Sequence, residues 1–345
     1  MENSRKRFPD WALTVIIVVA VVVIAVAVIA IVLSNVFMQE NSTRKFSGPS
    51  SPYIARISVI GEISGVSNRF ASSNSSYHHY WTMQTIDTLI EDPNNKGICL
   101  WLDTPGGTVY ESDELYLKLM EYKEKTGRPI YAYMRKIAAS GGYYAAASAD
   151  GIFANRNTWT GSIGVSLGTM FDVTGFLEEH GIRATTITTG DNKSMGNIYE
   201  PMTDEQIAIY QSLVDEAFDR FVDIVALGRG MSAAEVRKIS DGRILTAGQA
   251  LEAGLIDGIL GEKEAEQEII SKVEGTPMIY DCFFRPEATY LSLFGSALLG
   301  QGLTGSLFSG GSGPEVYKGD VAAVLELARG QEEAGIPPLK YLYTG

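Results

Sequence analysis

Near its start the chain carries an unbroken apolar run. From Trp11 to Leu33 there are 23 residues without a charge, dominated by Val, Ile and Ala. At 1.5 Å per residue a helix over this run spans about 34 Å, enough to cross a bilayer. It has no polar face, which argues against a core helix of a soluble domain. A cleavable leader would have a shorter apolar stretch and a small-residue cleavage site, so the pattern reads as an uncleaved anchor. Arg5, Lys6 and Arg7 precede the run, and no comparable cluster follows before Arg44 and Lys45. The positive-inside bias therefore keeps residues 1–10 in the cytoplasm and exports the rest.

After the anchor the pattern changes twice. Residues 34–52, rich in Ser and Asn and ending in Gly48-Pro49-Ser50-Ser51-Pro52, read as a flexible tether. Globular patterning begins at Tyr53. Residues 55–60 alternate like a strand, 81–91 have helical spacing, and 96–103 form an apolar run of strand length. The alternation continues with a helix over 109–125, a strand at 129–133, a short Ala-rich helix after Ser140 and a strand at 151–155. A helix at 173–180, a strand at 184–188 and a long helix over 204–227 follow. Two shorter helices and the run Leu255–Leu260 complete the unit, which is expected to end near residue 265. Strands alternating with helices imply parallel pairing and an α/β class. Residues 266–345 read as a C-terminal extension: a weaker helix and strand over 266–290, a Gly/Ser/Leu-rich stretch at 295–314 and a last helix at 316–329.

Charge removes some classes of partner. With 28 Lys+Arg against 41 Asp+Glu the net charge is −13, and no basic stripe reverses it locally, so nucleic acid is excluded. Cys99 and Cys282 are too few for a disulfide framework, and Cys99 sits in an apolar strand pattern. No histidine stands in a metal-ligand spacing, so no metal is expected.

Candidate chemistry concentrates in four loops. Ala138-Ala139-Ser140-Gly141-Gly142 lies between a strand and a helix, a turn that can present a serine hydroxyl at a helix N-terminus beside the free amide of Gly141. The plain alternative is an N-cap serine. Asp103-Thr104-Pro105-Gly106-Gly107 offers a second amide, that of Gly107, although Pro-Gly-Gly is also an ordinary turn. A serine nucleophile needs a base. His180, at a predicted helix end, reads as a structural residue interacting with the dipole. Lys193, in Thr189-Gly190-Asp191-Asn192-Lys193-Ser194-Met195-Gly196, is the alternative base, provided that burial lowers its pKa from about 10.4 towards 7–8; otherwise it is a solvated cation. Ser162, in Thr160-Gly161-Ser162-Ile163-Gly164, can orient such an amine or serve simply as a turn residue.

The joint order of these four motifs, over roughly residues 53–262, resembles the signal peptide peptidase A family of Ser/Lys peptidases. Gly242-Arg243-Ile244-Leu245-Thr246-Ala247, with Ala250 and Gly254 to Asp257, resembles a segment shared with Clp protease relatives. The resemblance implies a Clp protease/crotonase-like fold of repeated β-β-α units. Ser140 would be the nucleophile, Lys193 the general base and Ser162 the lysine-orienting residue, with the amides of Gly107 and Gly141 as oxyanion hole and no cofactor. It further implies an anchored homo-oligomer that degrades signal peptides and other short apolar peptides, with Ser and Lys meeting across a subunit interface. Two other readings stay open: an acyl-CoA-processing crotonase-type enzyme, and a ring-forming membrane scaffold without chemistry. The short apolar terminus, residues 339–345, is expected to lie in the substrate groove.

Overall fold

The computed structural model describes residues 46–65, 77–275, 277–283 and the backbone of 340–342. The anchor expected at 11–33, the cytoplasmic tail and the helix expected at 316–329 lie outside them. Among the described residues no helix is long and apolar enough to cross a membrane.

The fold is a mixed α/β unit built on a mainly parallel sheet. Strand β1 (Tyr53–Ile60) is followed by helix α1 (His79–Glu91), β2 (Asn95–Thr104), the short β3 (Gly106–Thr108) and α2 (Val109–Thr126). Then come β4 (Ile130–Ala139), α3 (Gly141–Ala146), β5 (Gly151–Ala154), β6 (Trp159–Gly161) and α4 (Thr174–Glu179). The long α5 (Asp204–Arg229) precedes α6 (Ala233–Lys238), β7 (Ile244–Thr246), α7 (Ala247–Glu252), β8 (Gly258–Ile259), α8 (Glu262–Lys272) and β9 (Met278–Cys282); β10 (Lys340–Leu342) is the last element. The sheet runs β7-β6-β4-β2-β1-β9, and β5 leaves β4 towards β8. β4 forks: its first half pairs with β5 through Tyr131–Met134, its second half with β6 through Ile137–Ala139.

Both faces of the sheet are covered, which explains why Ile98-Cys99-Leu100-Trp101-Leu102 is an uninterrupted apolar run. One face packs Ile57, Leu100, Ala132 and Met134 against α1, α2 and α5. On the other, Ile54, Cys99, Trp101 and Tyr133 meet Ala265 and Ile269 of α8. Cys99 and Cys282 are both buried and free, and burial pushes the Cys99 thiol up to about 12.

Three sequence expectations are corrected. Residues 184–188 form no strand; they are exposed, and their amides find no neighbouring strand among the described residues. The sheet also continues beyond residue 265, because β9 pairs in parallel with β1 and α8 covers it. Arg56 holds this added edge: it donates to both Asp281 oxygens, reaches Glu266 at 2.6 Å and lies over the Trp101 ring. The distal end of the expected tether is packed, with the Phe46 ring 6.1 Å from that of Tyr280.

Ile57 is fully buried between β2 and β9. Ile57→Ala is expected to cost about 2–5 kcal/mol in urea unfolding, as for large-to-small changes in tight cores; a loss below about 1 kcal/mol would mean that β9 is only loosely joined.

Candidate active site

The carboxyl ends of three neighbouring parallel strands converge. β2 runs into β3, β4 ends at Ser140, and β6 ends at Ser162; the register Ala139↔Gly161 sets the two serines next to each other. Ser140 has φ 54° and ψ −119°, and Ser162 has φ 50°. They are the non-glycine residues at positive φ among those described. Such backbone costs an L residue on the order of 1–3 kcal/mol and persists only where neighbours enforce it.

The enforcing contacts can be named. The Ser140 amide donates to the Gly161 carbonyl at 2.8 Å, and the Ser162 amide to the Arg243 carbonyl at 2.8 Å. Helix α3, entirely buried, is fastened at two points: the Tyr143 hydroxyl donates to the Leu255 carbonyl at 2.7 Å, and that of Tyr144 to Asp113 at 2.6 Å. Burial pushes the Tyr143 phenol well above its ordinary value, so it stays a neutral donor. Ser140 occupies the N-cap position of α3 without a side-chain capping bond, which removes the plain N-cap reading. Its Oγ is not presented to solvent as expected from the turn; it is buried and lacks a hydrogen-bond partner.

The two glycines expected to supply amides lie together. A Cβ on Gly141 would stand 3.2 Å from the Gly107 nitrogen and 2.3 Å from Ser112 Oγ, so only glycine allows this approach. Gly107 is just as tight, since a Cβ there would fall 1.8 Å from the Ile63 carbonyl oxygen. Ile63 straps β3: its amide donates to Gly106 at 2.8 Å, and its carbonyl accepts from Thr108 at 2.9 Å. By strand alternation the Gly107 amide then faces the opposite edge, where β10 pairs antiparallel with Tyr341 opposite Gly107. Residues 340–342 of the terminus thus pair with the strand that carries Gly107.

Ser162 lines a cavity of about 310 Å³ with Val165, Val214, Asp215, Phe218 and Gly242. Lys193 is elsewhere in character. It lies exposed in a turn held against α5, where the Tyr210 hydroxyl donates to the Met195 carbonyl at 2.9 Å and Gln206 to that of Asp191 at 3.3 Å. Because Ser140 Oγ has no partner, Lys193 does not hydrogen-bond to it within the single chain. The structure thus sets Ser140, Ser162, Gly107 and Gly141 on adjoining strand ends and leaves the exposed Lys193 without a hydrogen bond to Ser140. His180 ends α4 with Nδ1 donating to the Phe176 carbonyl at 2.9 Å and its ring 4.2 Å from that of Phe176, a structural role. Two residues escaped the sequence reading: Ile63, whose main-chain contacts leave no trace in sequence, and Ser112, which looks like an ordinary polar residue early in a helix.

Comparison with known proteins decides the family. The profile of peptidase family S49 matches residues 122–274. A putative protease of Synechocystis sp. is 35% identical over 214 residues, covering 62% of this chain and 72% of that protein. The chain belongs to peptidase family S49. A putative signal peptide peptidase SppA of Enterococcus faecium is 39% identical over 61% of each chain. The chloroplastic serine protease SPPA of Arabidopsis thaliana is 30% identical over 61% of this chain and 31% of its own length. The S49 chain thus spans well under two thirds of some relatives.

Relief of the backbone strain gives a direct check. Ser140→Gly is expected to raise unfolding stability by about 1 kcal/mol, because glycine takes this φ/ψ freely. A variant less stable in urea than the parent would show that the strain at Ser140 is not there.

Proposed function

We propose that the chain is a serine peptidase in which Ser140 is the nucleophile and Lys193, from a second copy of the chain, the general base. The observation that carries this reading is the Ser140 hydroxyl, buried without a partner at the N-terminus of α3 beside the Gly107 and Gly141 amides. A hydroxyl so enclosed, with no base of its own chain against it, fits a site completed by assembly. Exposed apolar side chains on the segment carrying Lys193, Phe171, Ile182 and Ile187 among them, support a homo-oligomer whose neighbour covers this arm. The exposed, unpaired 184–188 stretch fits the same picture.

In the mechanism a neutral Lys193 amine takes the proton as Ser140 Oγ adds to the peptide carbonyl. The Gly107 and Gly141 amides bind the oxyanion, and the helix dipole of α3 favours the developing charge. The Lys193 ammonium then protonates the leaving amine. Water, deprotonated by the same amine, hydrolyses the acyl-enzyme, and Ser162 orients the lysine. Burial at an interface is what would favour the neutral amine.

An extended peptide is expected to take the edge of β3 that β10 occupies, because main-chain bonding there sets a carbonyl against the Gly107 amide. The fold would be of the Clp protease/crotonase type. The substrates are cleaved signal peptides and other short apolar peptides, met at the extracytoplasmic face of a membrane to which residues 11–33 anchor the chain. Residues 34–52 would be the linker, its distal end packed on the domain, and 53–265 the catalytic core, with β9 and β10 of the C-terminal extension pairing with β1 and β3.

Two experiments test this reading. Ser140→Ala and Lys193→Ala are each expected to abolish hydrolysis of an apolar fluorogenic peptide by the detergent-solubilised chain. Mixing the two inactive variants should restore part of the activity, since a mixed oligomer pairs an intact serine with an intact lysine. Retained turnover in Lys193→Ala sinks the dyad, failure to complement assigns both groups to one chain, and an inactive parent favours the scaffold. Separately, removing residues 339–345 is expected to raise kcat/KM on short peptides by freeing the β3 edge; an unchanged value means that the tail does not compete.

A further inference from the structure

Gly141 has a buried hydroxyl on each side. Ser140 precedes it in the chain, and Ser112, in the second turn of α2, meets it in space: a Cβ on Gly141 would stand 2.3 Å from Ser112 Oγ. Ser112 is fully buried, and its Oγ, like that of Ser140, has no hydrogen-bond partner. The same point lies 3.2 Å from the Gly107 nitrogen. The unpartnered hydroxyl therefore borders Gly141, which itself packs against Gly107, the two glycines proposed to supply amides to the oxyanion.

A buried hydroxyl without a partner costs on the order of 1–3 kcal/mol, and alanine would fit the same space and suit a helix better. Retaining serine here is understandable if its partner is absent from the resting site and arrives with the reaction. The only polar species that the proposed chemistry creates beside Gly141 is the oxyanion.

We propose that the Ser112 hydroxyl is a third hydrogen-bond donor to the oxyanion, beside the Gly107 and Gly141 amides. This rests on the serine-peptidase reading. As Ser140 Oγ bonds to the peptide carbonyl carbon, the π electrons move onto the carbonyl oxygen and the Ser140 proton passes to Lys193. Ser112 keeps its own proton throughout and only donates a hydrogen bond to the new O⁻. The hydroxyl is thus satisfied in the transition state and unsatisfied in the ground state, the differential that accelerates a step rather than tightening substrate binding.

The test is Ser112→Ala in the full chain, read three ways. With an apolar fluorogenic peptide, kcat should fall about 10²-fold while KM stays close to that of the parent. Affinity for a peptide aldehyde, which forms an oxyanion on Ser140, should fall in parallel. The urea unfolding midpoint should be unchanged or higher, because an unsatisfied group has been removed. Unchanged kcat with an active parent overturns the role of Ser112 alone, and so does a lowered midpoint, which would make Ser112 a packing residue. A parent that hydrolyses no peptide and binds no aldehyde refutes the peptidase reading itself, and the role of Ser112 with it.

Discussion

At Ser140 the chain leaves β4 with φ 54° and ψ −119°, a conformation that an L residue adopts only under compulsion. The compulsion is distributed. The Ser140 amide is held by the carbonyl of Gly161 on the adjacent strand, and α3 is fastened by Tyr143 to Leu255 and by Tyr144 to α2. Each bond is ordinary in strength, but together they leave the backbone no relaxed alternative. The result is a buried, unpartnered hydroxyl at the head of a helix, next in the chain to a glycine that packs against Gly107.

Glycine serves close approach here more than flexibility. Gly107 faces the main chain of Ile63, and Gly141 faces Ser112 and Gly107, with no room for a single methyl group at either. These contacts bring β3 and the head of α3 into close packing. They also draw Ser112 into the same enclosure, joining the packing of α2 against α3 to the electrostatics of the site.

The molecule divides between a closed centre and an open arm. Ser140, Ser162 and the paired glycines lie in a fully covered sheet, while residues 182–193 are almost wholly exposed, Ile187 at 93%. A lysine useful as a base must lose water, and Lys193 is exposed among the described residues. The proposed assembly resolves this by covering the arm and completing the centre in one event, so that an unassembled chain would have its nucleophile without its base.

Sequence by itself determined much of the alternating β and α order, because periodicity and apolar run length are local properties: the strand at 53–60 and the helix at 109–126 follow from their periods, and the strand at 95–104 from its short apolar run. It also marked Ser140, Gly107, Gly141 and Ser162, since turns that demand glycine or small residues are written in the chain. Tertiary structure alone decided the rest. The pairing of β9 with β1 and of β10 with β3 joins segments far apart in sequence, and no local pattern encodes such a partner. The same holds for Ile63 and Ser112, whose importance comes from what lies across from them. The failed strand at 184–188 shows the converse: its β-branched residues suit a strand, but a strand exists only where another backbone answers its amides.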